Sequence, residues 1–189
     1  MNPIGTKDIY TQRLHLRRLL PDDAQAAFDN WTSDEKVTEF LRWEPHINVN
    51  MTRALFESWQ EQYDNPFHFE WVIVLDGQPI GSIQTHSMTQ HSARCEISYH
   101  IGSRFWGKGY MTEALVGVME YLFTRVGLNK LEGRYDILNT ASGRVMEKAG
   151  MVKEGVLRAH SIRKDGTYAD VVAMGITKED WLKMKGERV

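Results

Sequence analysis

The stretch FHFEWVIVLDGQPIGSIQTHSM, residues 67–88, carries two runs rich in β-branched and aromatic residues on either side of Asp76-Gly77. A two-residue hairpin turn needs positive φ at its central positions, and Asp and Gly tolerate that better than other pairs. The stretch therefore predicts a β-hairpin, and ARCEISYHI at 93–101 follows as a third antiparallel strand. An antiparallel sheet thus stands at the centre of the fold.

The flanking segments have different periods. Leu14 and Leu16 alternate in a short strand ending near Arg18, and Pro21-Asp22-Asp23 then opens a helix whose apolar face is Ala24, Ala27, Phe28 and Trp31. A short helix from Ser33 and a longer one from about Met51 to Tyr63 follow. Beyond the hairpin, apolar residues at 111, 114, 115, 118 and 122 mark one helix face, with a stop near Gly127. KLEGRYDI at 130–137 is a strand, Thr140 to Ala149 a helix stopped by Gly150, and MVKEGVLRAHSI at 151–162 another strand. Asp165-Gly166 turns a last hairpin into YADVVAMGI, and TKEDWLKMK forms a tail helix. Strands before and after intervening helices predict an α+β (mixed α/β) fold with helices covering the sheet.

The 189 residues show no Pro/Gly/Ser linker and no repeat, so a single domain over 1–189 is expected. A net charge of -2 argues against a nucleic-acid binder that relies on bulk electrostatics. One cysteine, Cys95, excludes an internal disulfide framework, and packing in the sheet is its simplest role. The opening MNPIGTKDIY lacks the segments of a signal peptide, and no run of about 18 apolar residues suggests a membrane span, so the expectation is cytoplasmic. The histidines form no H-E-x-x-H, so no metal is expected, and no G-x-S-x-G elbow is present.

One stretch points to a ligand. RFWGKGYMTEAL, residues 104–115, sets Gly107 and Gly109 with Arg104 and Lys108 directly before a helix. Free amides and the positive end of the dipole favour an anion there, glycines admit close approach, and the cations add charge. The third glycine of the dinucleotide fingerprint and the Gly-Lys-Ser/Thr ending of a P-loop are absent.

Arg104-Phe105-Trp106-Gly107-Lys108-Gly109 matches the [Q/R]-x-x-G-x-[G/A] element of the GNAT superfamily of N-acetyltransferases. CEISYHI is similar to that family's fourth strand, with Ser98 and His100 where glycine and tryptophan are frequent. NTASGRVMEKAGMVKEG, from Asn139, resembles an element of the branch of ribosomal-protein alanine N-acetyltransferases, with Met151 in place of a frequent phenylalanine. RKDGTYADVVAMGITKEDW resembles that branch's closing hairpin and tail; with TQRLHLRRLLPDDA, the resemblance runs from about Tyr10 to Trp181.

The resemblance implies a central mixed, mostly antiparallel sheet of about seven strands with helices on both faces, its fourth and fifth strands splayed to admit acetyl-coenzyme A (acetyl-CoA). It implies a pyrophosphate seat at Arg104, Phe105, Trp106, Gly107, Lys108, Gly109 and Tyr110. The edge of Tyr99, His100 and Ile101 would pair with the pantetheine, Asn139 would orient it, and Lys148 would lie nearby. A backbone N–H at a β-bulge near Tyr99 or His100 would hold the oxyanion. Glu96 is the first candidate for the base, directly or through water, and His100 the second; Ser142, near the sulfur by resemblance, would give the leaving thiolate a hydrogen bond. Helix capping accounts for Asn139 and Ser142 equally well.

The resemblance implies direct attack on the acetyl thioester by a primary amine. Deprotonating a lysine of pKa ~10.4 at neutral pH costs roughly 4 to 5 kcal/mol, and an α-amine near ~8 only about 1 to 1.5. A protein N-terminal α-amine is therefore the first acceptor. Polyamine or aminoglycoside-type acceptors and a non-catalytic CoA-binding module are the alternatives. Phe40 and Trp43 lie in the early region where the branch places its acceptor; Glu39 and Glu44 beside them suit a cationic substrate, and an exposed helix end explains both equally well, while monomer or homodimer as the working form stays open.

Overall fold

The computed structural model describes residues 1–186; positions 187–189, the end of the expected domain, lie outside the described residues. All strands join one sheet: β1 (Ile9–Tyr10), β2 (Leu14–Arg17), β3 (Glu70–Leu75), β4 (Gln78–Thr89), β5 (Arg94–Ile101), β6 (Lys130–Asp136), β7 (Val152–Ile162) and β8 (Tyr168–Thr177). Their order is β1-β2-β3-β4-β5-β6-β8-β7, and every neighbouring pair is antiparallel except β5 and β6. The sheet has eight strands where about seven were expected. It gains the two-residue β1, which pairs Ile9 with Leu16 and Tyr10 with His15.

The central hairpin forms as its chemistry dictates, with Asp76 at φ 49° and Gly77 at φ 79°. β3 is apolar from Trp71 to Leu75 because both faces are covered. Trp71 and Ile73 enter one hydrophobic cluster, and Val72 and Val74 enter the other. The second cluster lies under α1 (Ala24–Ala27), its π-helical extension Phe28–Thr32, and α3 (Val49–Trp59), through Ala24, Ala27, Trp31 and Phe56. The short α2 (Glu35–Thr38) adds Val37 to the same cluster. α3 begins two residues before Met51 because the Asn48 side chain accepts from the Met51 amide at 3.0 Å.

The opposite face carries α4 (Tyr110–Tyr121), α5 (Thr140–Lys148) and α6 (Lys178–Lys185). Met111, Ala114, Leu115 and Val118 of α4 pack there with Met146 of α5 and Trp181 of α6. A π-helical turn, Leu122–Val126, extends α4 to Gly127, whose left-handed φ of 75° ends it.

The sheet splits at one place. β5 pairs with β6 only from Arg94↔Lys130 to Ile97↔Gly133. Beyond it, Ser98 to Ile101 pair only with β4, while Arg134, Tyr135 and Asp136 pair with β8. The far side of β5 is therefore a free backbone edge. β5 stays in register with β4 from Gln84↔Ser98 to Gly81↔Ile101, so the bulge expected near Tyr99 or His100 does not form on this ladder; its register shift lies between His86 and Thr89. Regular pairing persists because Gly81 lets the strands approach closely: a Cβ there would collide with the His100 carbonyl and the Ile101 backbone. At the outer edge, β7 loses register with β8 between Leu157 and Ser161, where Ala159 takes a φ of 48°.

Gly81→Ala is therefore expected to destabilise the protein by about 2 kcal/mol, lowering the melting temperature by roughly 4 to 8 °C. Differential scanning calorimetry checks this, and an unchanged melting temperature refutes the close packing of β4 on β5.

Candidate active site

The chain leaves β5 through Gly102 and a 3-10 turn, Ser103–Phe105, before entering α4. Several bonds fix this turn. The Trp106 indole donates to the Ile101 carbonyl at 2.8 Å, the Ser103 amide donates to Asp34 at 3.2 Å, and the Arg104 guanidinium donates to the Asn30 side chain. Gly107 (φ 74°) and Gly109 (φ 81°) follow in left-handed conformations. Gly109 is the N-cap of α4 and no side chain caps that end, which leaves first-turn amides open to an anion.

Arg13 braces the same end from β2's side. It donates to the Lys108 carbonyl at 3.1 Å, pairs with Glu113 at 2.6 Å and stacks over Tyr110 at 4.5 Å. Burial raises the Glu113 pKa, but hydrogen bonds from Thr11 and Arg13 outweigh it and hold the carboxyl below its ordinary range. Spacing gives no sign of Arg13, because its partners lie in α4.

A cleft of about 380 Å³ opens at the split between β5 and β6. Its walls are Tyr99, His100 and Ile101 from β5, Phe105, Trp106, Gly107, Gly109 and Tyr110 from the turn, and Asn139 and Ser142 from the start of α5. Lys36, Glu39 and Phe40 close one side, and Arg144 and Lys148 stand at the other helix. Besides Trp43 and Glu44 of the expected acceptor region, three expected site residues are not on the wall. Arg104 is turned to Asn30 and stacks on Phe105 at 4.9 Å, Lys108 lies near the same ring at 5.8 Å, and Glu96 is buried in an ion pair with Arg134 at 2.9 Å. A wider, open groove of about 700 Å³ between β1 and α4 touches only Gly109 and Lys148 among the residues singled out by sequence, so the smaller cleft is the candidate site.

Alternation along β5 gives the site two sides. Cys95, Ile97, Tyr99 and Ile101 face α4 and α5, whereas Glu96, Ser98 and His100 face the α1–α3 layer. On the first side, Tyr99 donates to the Ser142 carbonyl at 2.9 Å and lies 3.1 Å from the Ser142 hydroxyl. Burial pushes the Tyr99 phenol well above its ordinary pKa, so it stays protonated. Asn139 caps α5 by accepting from the Ser142 amide at 3.2 Å, which sets the serine beside Tyr99.

On the second side, His100 Nε2 lies 3.1 Å from the Ser82 hydroxyl. Its ring meets Trp43 edge-on at 5.9 Å and tilts against Trp31 at 6.1 Å. Desolvation among these groups pushes the imidazole down to about 4. Trp43 leans on His46 at 5.5 Å, whose Nδ1 bonds the Thr52 hydroxyl at 2.7 Å. Glu44 is exposed and pairs with Lys164 on the β7–β8 hairpin at 3.1 Å. Burial also raises the Cys95 thiol to about 12, in keeping with a packing role.

Residues 13–152 match the acetyltransferase (GNAT) domain family. The chain belongs to the GNAT acetyltransferases. It is 29% identical over 178 residues to an uncharacterized N-acetyltransferase, p20, of Bacillus licheniformis, covering 92% of this chain and 97% of that one. Against the [ribosomal protein uS5]-alanine N-acetyltransferase of Escherichia coli (strain K12) it is 31% identical over 87 residues, 46% of this chain and 44% of the other. A solved structure of RimL, the ribosomal L7/L12 alpha-N-protein acetyltransferase, in complex with coenzyme A superposes with a TM-score of 0.81 at 17% identity, covering 90% and 98% of the two chains.

This GNAT acetyltransferase is an acyltransferase acting on nitrogen. No helix among its described residues is long and apolar enough to cross a membrane. The pKa of His100 gives a test of the cleft's dryness. Below about pH 6.5 the unfolded chain takes up a proton that folded His100 refuses until about 4, so stability falls as pH drops through that window. Replacing His100 with Phe is expected to shrink the loss of melting temperature between pH 7 and pH 5. An equal loss in both proteins refutes the burial of His100.

Proposed function

We propose that this GNAT acetyltransferase moves an acetyl group from acetyl-CoA to the α-amine of a protein N-terminus. The observation that carries the first half is the uncapped start of α4, with left-handed Gly107 and Gly109, opening directly onto the free edge of β5. Convergent amides suit a pyrophosphate, an exposed strand edge suits an extended amide arm, and Arg144 and Lys148 add positive charge along the same wall. The residues present thus fit the group. The bound cosubstrate would supply an activated thioester; the protein supplies alignment and hydrogen bonds.

Ser142, set in place by Tyr99, is the hydrogen-bond donor on the coenzyme side, because a leaving thiolate of pKa near ~8.5 needs little more than one hydrogen bond. Glu96 is held in place by Arg134 and stands off the cleft wall, so its part as a base runs through water. The acceptor enters past Phe40, Glu39 and Trp43, on the opposite side of β5. An α-amine fits a site with no strong base on its wall, since it needs only about 1 to 1.5 kcal/mol to lose its proton. Relatives whose names specify ribosomal-protein alanine or α-N-protein acetylation support the same acceptor.

Gly107→Val is expected to weaken acetyl-CoA binding at least tenfold. The position requires φ 74°, which costs a β-branched residue about 1 to 3 kcal/mol, and its side chain would project toward the phosphate. Isothermal titration calorimetry on the folded variant checks this, and unchanged affinity moves the pyrophosphate elsewhere. Ser142→Ala is expected to lower kcat about 10- to 100-fold with coenzyme affinity retained; an unchanged rate at saturating substrates removes the serine from the chemistry. Thiol release in the presence of peptides with free N-termini, N-acetylated lysine-containing peptides and polyamines tests the acceptor. Turnover with polyamines alone refutes the α-amine assignment.

A further inference from the structure

His100 stands where the related fourth strand often has tryptophan, and its surroundings give the difference a chemical meaning. One ring nitrogen, Nε2, is engaged by the Ser82 hydroxyl at 3.1 Å. Nδ1 has no protein partner, yet among the described residues no buried side-chain nitrogen or oxygen lacks one. Nδ1 is therefore open, and the space His100 borders is the cleft. The ring cannot swing away, because Trp43 and Trp31 pack against it and Ser82, directly across the ladder on β4, holds its far nitrogen.

We propose that Nδ1 of His100 accepts a hydrogen bond from the acceptor amine and aims its lone pair at the acetyl carbon. This rests on the cleft being the acetyl-transfer site. In this proposal Nε2 carries the proton and donates to the Ser82 hydroxyl, so that Nδ1 is left as the acceptor toward the cleft. As the C–N bond forms and the C–S bond breaks, the amine proton leaves through water toward Glu96, and the sulfur departs as a thiolate that accepts a hydrogen bond from the Ser142 hydroxyl. His100 takes no proton in either step. Burial among indoles makes its imidazole resist protonation, so it orients the amine without capturing its hydrogen. Because the side chain faces away from Tyr99 and Ser142, its replacement acts on the acceptor half of the reaction.

The test compares His100→Phe, which keeps a ring and loses the acceptor atom, with His100→Asn, whose amide places a polar atom near the Nδ1 position. With an N-terminal peptide, His100→Phe is expected to lose about 10- to 100-fold in kcat/KM for the amine, the scale of one buried hydrogen bond. Its acetyl-CoA affinity should stay within twofold of wild type, and His100→Asn should recover at least threefold over the Phe variant. In the wild-type protein the Nδ1 nitrogen resonance should shift when peptide is added to the complex with a non-reactive acetyl-CoA analogue.

His100→Phe retaining the wild-type kcat/KM for amine overturns the proposal, and so does a parallel loss of coenzyme affinity, which marks a packing role. Should His100→Phe not fold, Ser82→Ala loosens the ring while keeping it, and a wild-type rate there is equally fatal. Wild-type protein that releases no thiol with any amine refutes the reading of the site as well; turnover unaffected by the His100 variants refutes this role alone.

Discussion

Everything at the cleft depends on how little β5 and β6 share. They are the one parallel pair in an otherwise antiparallel sheet, and they stay together only from Arg94↔Lys130 to Ile97↔Gly133. Past that point β5 keeps to β4 and β6 keeps to β8, so the strands part with their carboxyl ends on the same side. Each then feeds a helix: β5 leads into α4 and β6 into α5. Two helix N-termini therefore converge on one opening, the arrangement in which ligands gather beyond the carboxyl ends of strands. A longer parallel ladder would close the edge on which the cleft is built.

The opening is held apart by packing and kept ordered by polar ties. Met146 of α5 lies so close to Gly133 that a side chain there would displace it, which seats α5 on the last residue of β6 paired with β5. Trp106 to Ile101, Tyr99 to Ser142 and His100 to Ser82 then tie the turn, α5 and β4 to the free end of β5. Because alternate residues of one strand project to opposite sides, a single strand separates the coenzyme half of the site from the acceptor half.

What the sequence discloses follows the range of the interaction. Asp76-Gly77, the α4 face and the caps at Asn139 and Gly127 act within a few residues, and each has the form its residue types predict. Gly107, Gly109, Asn139 and Ser142 line the cleft for the same reason. β1 is too short to show a period, and the insertion of β8 between β6 and β7 is a non-local pairing. The side chains that turned out otherwise are governed by distant partners. Arg104 is claimed by Asn30, and Glu96 by Arg134 on a neighbouring strand, whose register no local pattern encodes. Arg13 and the indoles around His100 were invisible for the same reason.

The strand order has a consequence for synthesis. β6 is flanked by β5 and by β8, the last strand of the chain. A nascent polypeptide that has completed α5 still has β6 exposed along the side that β8 will cover, and only the hairpin ending at Thr177 supplies that neighbour. Domains that fold as the ribosome delivers them can settle local hairpins early, but a non-local pairing must wait for its later partner. The wall of the cleft is thus the final part of the sheet to be secured, and the catalyst comes into being only after β8 has left the exit tunnel.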